Sequence, residues 1–173
     1  MPRGAPSSSL AAAFGLGVPM RPPAAVAERR FLELCDGCGK CIAACAEETG
    51  VLKADRGGGP WLDLQASFCT LCAACIEACP TGALDRAKAE QVALGEWFFP
   101  WVMRIDEKRC LEFRAITCRA CEESCEADAI RFRPLPGHRG EARIEAVLCT
   151  GCGECLRACP EGAILTLERK AGA

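Results

Sequence analysis

The chain of 173 residues has no tyrosine, a single histidine and three tryptophans. Bulky apolar side chains are scarce as well. More than half of the 50 % counted as hydrophobic is alanine and cysteine, the latter 16 in number, which leaves a thin supply of Leu, Ile, Val, Phe, Met and Trp. That length allows one medium domain or two small ones, and two small ones would each be marginal on hydrophobic burial alone. Neither sign of charge is in excess: 21 Lys and Arg stand against 23 Asp and Glu, a formal net charge of −2. Such a balance offers no basic footprint for a phosphate backbone, which excludes nucleic acid as an expected partner. It is also too small for a typical disordered chain. No apolar run approaches the ~18 residues that cross a bilayer, so no membrane span is expected. The sequence has no Ser/His/Asp set and no phosphate-cradling glycine loop, so it is not expected to be an enzyme. Something other than side-chain burial must organise the interior.

Residues 1–28 read as a flexible Ala/Pro/Gly/Ser tail. Leu10 to Met20 is mildly apolar, but Gly15, Gly17 and Pro19 interrupt it as a secretory signal. Arg29-Arg30-Phe31-Leu32 looks like a twin-arginine signal, yet Cys35 follows where an apolar segment should.

What the chain has in abundance is cysteine, in four groups of four. Cys35, Cys38, Cys41 and Cys45, then Cys69, Cys72, Cys75 and Cys79, and last Cys149, Cys152, Cys155 and Cys159 each read C-x2-C-x2-C-x3-C. The third group, Cys110, Cys118, Cys121 and Cys125, keeps the later spacings but has seven residues after its first member. Pro80 and Pro160 complete the C-x2-C-x2-C-x3-C-P run of bacterial ferredoxins, which bind [4Fe–4S] clusters. Three thiolates two residues apart can wrap a tight loop round one face of a cubane, and the fourth lies one helical turn on. In two-cluster ferredoxins that fourth cysteine ligates the other cluster. Cys45 is therefore expected to complete the site of Cys69, Cys72 and Cys75, and Cys79 that of Cys35, Cys38 and Cys41. A disulfide scaffold would not need three copies of one spacing, and structural zinc sites commonly recruit histidine. The one histidine, His138, falls in a Pro136-Gly137 turn and reads as a solvated loop residue.

Adding 80 to the residue number maps Cys38, Cys41, Cys45, Cys69, Cys72, Cys75 and Cys79 onto Cys118, Cys121, Cys125, Cys149, Cys152, Cys155 and Cys159. Seven of eight cysteines superimpose without a gap, the signature of an internal duplication. The exception is Cys35, whose counterpart is Ala115. Cys110 either reaches back as the missing ligand, giving four [4Fe–4S] clusters, or leaves a three-cysteine, labile third site. The fold class expected is α+β: two tandem, loop-rich two-cluster units, over 29–86 and 105–173, joined by a linker at 87–104.

Within each unit a short hairpin should separate the motifs, Val51–Ala54 with Trp61–Leu64 and Ala129–Phe132 with Ala142–Ala146. Val102–Asp106 should pair with Ile164–Glu168 to close the second unit. The first lacks an obvious opening strand, because Val26–Leu34 reads as a helix. The aromatic run Trp97-Phe98-Phe99-Pro100-Trp101 suits a seam between the units better than a partner-docking patch. Glu122, Glu123, Glu126 and Asp128 read as a solvated face around the third motif. Four oxidised cubanes would take the assembled protein to a net charge of roughly −10.

In these features the sequence resembles the NapF family, the ferredoxin-type proteins of periplasmic nitrate reductase systems. The resemblance runs from Arg21-Pro22-Pro23 to Ile164. It includes Phe31-Leu32 before Cys35, Gly58-Gly59 leading to Trp61, the seven-residue gap after Cys110, Phe132-Arg133-Pro134 and Leu148-Cys149-x-Gly151-Cys152-Gly153. The segment 1–20 departs from it, being less basic. The resemblance implies a cytoplasmic protein that meets the precursor of the nitrate reductase catalytic subunit before export. The role it implies is maturation of that subunit, through electrons or iron–sulfur units. A general polyferredoxin electron carrier is the alternative.

Overall fold

A computed structural model describes residues 19–135 and 139–169. His138 and positions 1–18 of the expected tail lie outside them. The chain divides between Trp97 and Phe98 into two compact units. Both are assembled from short α and β elements, an α+β architecture in which loops carry most of the cysteines.

In the first unit, helix α1 (Glu28–Leu34) precedes the first motif and buries Phe31. Helix α2 (Lys40–Ala46) carries Cys41 and Cys45, strands β1 (Leu52–Ala54) and β2 (Pro60–Leu62) form the hairpin, and α3 (Ala74–Glu77) carries Cys75. A 3-10 turn at Arg86–Lys88 and helix α4 (Ala89–Ala93) follow. Among the described residues of this unit, Pro23, Phe31, Val51, Leu62, Ile76, Leu84 and Val92 are the large side chains sealed from solvent. Arg21 is buried with them. Its guanidinium pairs with Glu28 at 2.8 Å and Asp55 at 3.0 Å, donates to the Pro60 carbonyl and lies 4.4 Å above the Phe31 ring. Burial works against this cation, but the two carboxylates outweigh it and hold the guanidinium pKa above its ordinary value. Asp55 also accepts the N–H groups of Gly57 and Gly59, so one clamp fixes both the entering chain and the hairpin turn.

The second unit repeats this plan with β3 (Trp101–Ile105), a 3-10 turn at Glu112–Arg114, α5 (Ala120–Glu123), β4 (Ile130–Leu135), β5 (Arg139–Ile144), α6 (Glu154–Ala158) and β6 (Ile164–Glu168). Strands β4 and β5 pair in register from Ile130↔Ile144 to Leu135↔Arg139, and β3 and β6 from Trp101↔Glu168 to Ile105↔Ile164, all antiparallel. The segment 87–104, expected as a linker, is thus divided: α4 belongs to the first unit, and pairing with β6 draws residues 101–104 into the second.

The duplication extends to individual hydrogen bonds. Under the shift of 80, the Ile105↔Ile164 pair has its image in the isolated bridge Ala25↔Leu84. Asp106 N–H donates to Ala163 O at 2.7 Å, and Val26 N–H to Ala83 O at 3.1 Å. The opening strand of the first unit is therefore present as a single bridge, because α1 starts at Glu28 and uses the residues that would extend it.

Phe99 and Trp101 do not wait for a seam. They stack on each other at 4.4 Å within the second unit, both nearly fully buried. The Trp101 indole N–H donates to Gly151 O, and the Phe99 N–H to Thr150 O, so the pair props up the fourth motif from below. Gly151 sits at φ +90°, and a methyl there would lie 3.0 Å from Phe99 Cβ and from Trp101 O. Gly151→Ala is accordingly expected to cost about 1–3 kcal/mol. The cost should show as a lower denaturant midpoint for loss of visible cluster absorbance.

Candidate metal centre

Each of the three regular motifs is a loop that turns by positive φ before its second and third cysteines and then enters a short helix, whereas in the third motif Arg119, at the second of these places, lies at φ −123°. Gly37 and Gly39 provide these turns in the first motif, Gly151 and Gly153 in the fourth, and Leu71 and Ala73 at the same places in the second. Holding two residues with a Cβ in the left-handed region costs free energy, and it persists only where the surroundings demand that conformation. In the fourth motif the pre-proline Cys159 leaves α6 in extended geometry, as the restriction before Pro160 requires.

The fourth cysteines cross over. Cys41 is pushed up to about 11, by burial first and then by the nearby sulfurs of Cys79, Cys35 and Cys38. Cys75 is pushed up further, by burial and then chiefly by Cys69, Cys45 and Cys72. In the second unit Cys121 rises to about 12, through burial and then Cys159, Cys110 and Cys118. Cys155 rises through burial and then Cys152, Cys149, Cys121 and Cys125. Cys45 thus stands with the second motif and Cys79 with the first. Cys110 stands with Cys118, Cys121 and Cys159.

Two recesses of the second unit make the same division visible as shape. One is lined by Cys110, Cys118, Cys121 and Cys159 and lies between Ile105, Leu111, Phe132 and Ile164. The other is lined by Cys125, Cys149, Cys152 and Cys155 and lies beside Met103, Ile130 and Ile144. No disulfide joins any of the sixteen cysteines, all of which lie among the described residues. Nor, among those residues, do three Cys, His, Asp or Glu side chains converge as ligands of one small ion. Four thiols in an apolar recess resist ionising together, since each thiolate raises the others. A cationic core that takes all four as thiolates relieves that repulsion. The donor set therefore fits a [4Fe–4S] cluster, with one sulfur for each iron.

Backbone donors prepare the sulfurs for negative charge. Ala163 N–H reaches Cys159 Sγ at 3.2 Å and Ala129 N–H reaches Cys125 Sγ at 3.4 Å. At Cys79 burial acts upward, but the N–H groups of Leu84, Thr81 and Ala83 and the Thr81 hydroxyl outweigh it and bring the thiol below its usual range. Arg169 secures the fourth loop from the end of β6: its guanidinium donates to the carbonyls of Cys149 and Ala146 at 2.5 Å and of Phe99 at 3.1 Å. Arg21 and Arg169 carry no sequence signal as site supports, because their partners are carbonyls and carboxylates far along the chain. Of the acidic residues expected as a solvated face, Glu122 pairs with Arg119 and Asp128 with Arg131.

No helix among the described residues is long and apolar enough to cross a membrane. Comparison with known proteins agrees with the geometry. A family profile described as "4Fe-4S dicluster domain" matches residues 34–83 and 114–163, two spans related by the same shift of 80. Ferredoxin-type protein NapF of Escherichia coli strain K12 is 34 % identical over 149 residues, covering 84 % of this chain and 82 % of the relative. The methylamine utilization ferredoxin-type protein MauM of Methylorubrum extorquens is 33 % identical over 169 residues, 88 % of this chain and 74 % of the relative. Ferredoxin-type protein NapG of Escherichia coli strain K12 is 30 % identical over 157 residues, 83 % and 67 % of the two chains. The chain belongs to the 4Fe-4S dicluster family, as a tandem, NapF-type ferredoxin-type protein.

Proposed function

We propose that the protein is a cytoplasmic iron–sulfur accessory factor that acts on the precursor of a periplasmic nitrate reductase catalytic subunit before export. Four clusters would be held by Cys35, Cys38, Cys41 and Cys79; by Cys45, Cys69, Cys72 and Cys75; by Cys110, Cys118, Cys121 and Cys159; and by Cys125, Cys149, Cys152 and Cys155. Such clusters, when bound, supply one-electron transfer, and the chain adds no catalysis of its own. The observation that carries this reading is the NapF likeness over most of both chains, joined to the crossed thiol sets that a working ferredoxin needs.

The chain's residues act by position. Cys38 and Cys72 are exposed, so each site of the first unit meets solvent at its second cysteine, where a partner can approach. Negative holoprotein charge favours a partner with a basic docking face and makes association weaken with salt. The client receives either electrons for its own iron–sulfur centre or the iron–sulfur units themselves.

A second reading, a general polyferredoxin carrier, is favoured by one observation: MauM, named for methylamine utilization, matches almost as well as NapF. Affinity capture of unexported nitrate reductase precursor by the anaerobically purified protein separates the two. The accessory role predicts capture that falls at least tenfold when the clusters are removed. No capture, with rapid reduction of an unrelated redox partner, would assign the protein to the carrier class.

A further inference from the structure

In the regular motifs the residue between the first cysteine and the left-handed turn is Asp36, Thr70 or Thr150. Asp36 Oδ1 accepts the backbone N–H of Cys38 at 3.1 Å. At the fourth motif a residue with a donor takes this place: burial pushes the Cys152 thiol up, and the Glu154 backbone N–H and the Thr150 hydroxyl act on it in the opposite direction. The third motif has Ile116 here, 48 % exposed and without a polar group to offer.

The Cys118 N–H, which the shift of 80 matches to that of Cys38, nevertheless meets a carboxylate. It donates to Glu112 Oε2 at 2.9 Å. Glu112 comes from the 3-10 turn inside the seven-residue insert, six positions before the cysteine it serves. Its carboxylate is seated against β5, where a methyl group at Gly140 would collide with it. Nearby, Arg114 and Arg109 are occupied by Glu161, the first by its carboxylate at 3.3 Å and the second by its carbonyl. The insert therefore rebuilds, from a distance, the contact that Asp36 makes locally. Each unit then has one cysteine loop closed by a carboxylate and one with threonine at that position.

The difference bears on redox chemistry. Reduction adds an electron to a cluster and its thiolates that are already negative, so a carboxylate beside a ligand cysteine disfavours the reduced form. It also engages an N–H that would otherwise be available to sulfur. Net charge and hydrogen bonds to sulfur are two of the main levers on cluster potential.

We propose that Asp36 and Glu112 are positioning residues that hold the sites of Cys38 and Cys118 lower in reduction potential than the second site of the same unit. An electron entering either unit then settles on the site of Cys72 or of Cys152. This rests on the cluster assignment proposed above.

The test is an EPR-monitored redox titration of the full, anaerobically purified chain with Asp36→Asn and Glu112→Gln, which keep an oxygen acceptor and remove the charge. Each variant is expected to raise the reduced-to-oxidised ratio of one site about tenfold at fixed potential, a shift of about 59 mV for one electron, leaving the other sites unmoved. Thr150→Val should lower the site of Cys152 instead. Unshifted midpoints with full iron and sulfide overturn the proposal, as does an equal shift at every site. If Glu112→Gln sheds iron, Asp36→Asn decides: a shift at one site upholds the proposal and wild-type midpoints overturn it. A wild-type chain that binds no iron and sulfide would instead defeat the cluster assignment itself, before any midpoint is read.

Discussion

Stripping iron and sulfide from the protein with a chelator under reducing conditions is expected to abolish its cooperative unfolding transition. Cores of domains this small rarely supply more than about 3–5 kcal/mol. The second unit is the poorer: among the described residues only Phe99 and Ile130 of its large side chains are less than 2 % exposed. Burying such a side chain is worth roughly 1.5–3 kcal/mol, which cannot hold loops whose walls are the cysteine-lined recesses. Metal binding in such a domain is folding free energy. Circular dichroism and amide dispersion should collapse on stripping and return on anaerobic reconstitution. A cooperative transition that survives in cluster-free protein would show that the polypeptide holds itself together.

Replacing Cys110 by serine is the second change with a large expected effect. Cys110 stands with Cys118, Cys121 and Cys159 although its motif breaks the repeat. The 3-10 turn of the insert folds the chain back: Arg114 N–H donates to Leu111 O and Ile116 N–H to Leu111 O, so the extra residues coil in place rather than extend. Cys110→Ser should cost up to about four irons, the content of one cubane, or leave a three-iron species with its own EPR signature, while the other three sites keep theirs. This site should also be the first lost to oxygen in the wild type. Full retention of iron and an unchanged spectrum would remove Cys110 from the ligand set.

Much of this was open to inspection before any coordinates, for a physical reason. Ligand spacing is set by the cubane and the short loop round it, so it survives as a local pattern, and the crossing of Cys45 and Cys79 was expected from the arrangement of two-cluster ferredoxins. The hairpins and the β3–β6 pair were legible through their turns and alternation. The single bridge Ala25↔Leu84 was hidden, because one hydrogen-bonded pair leaves no periodicity. Glu112 was hidden too: a glutamate in an irregular loop gives no sign that it replaces an aspartate elsewhere. Within the aromatic run, hydrophobicity announced burial, and the stack under Gly151 reveals what Phe99 and Trp101 are buried against.

The crossing of the fourth cysteines also fixes an order in time. A chain leaves the ribosome from its N-terminus, and domains commonly fold as units during synthesis. The set of Cys35, Cys38 and Cys41 cannot close until Cys79 has emerged, by which point the set of Cys45, Cys69, Cys72 and Cys75 is complete as well. Both sites of the first unit therefore become closable almost together, while Cys110 is still inside the ribosome. The second unit repeats the event once Cys159 has followed. On the ligand sets proposed above, uptake of the cofactor during synthesis would come in two pulses of two, with no thiol of the first unit left waiting on the second.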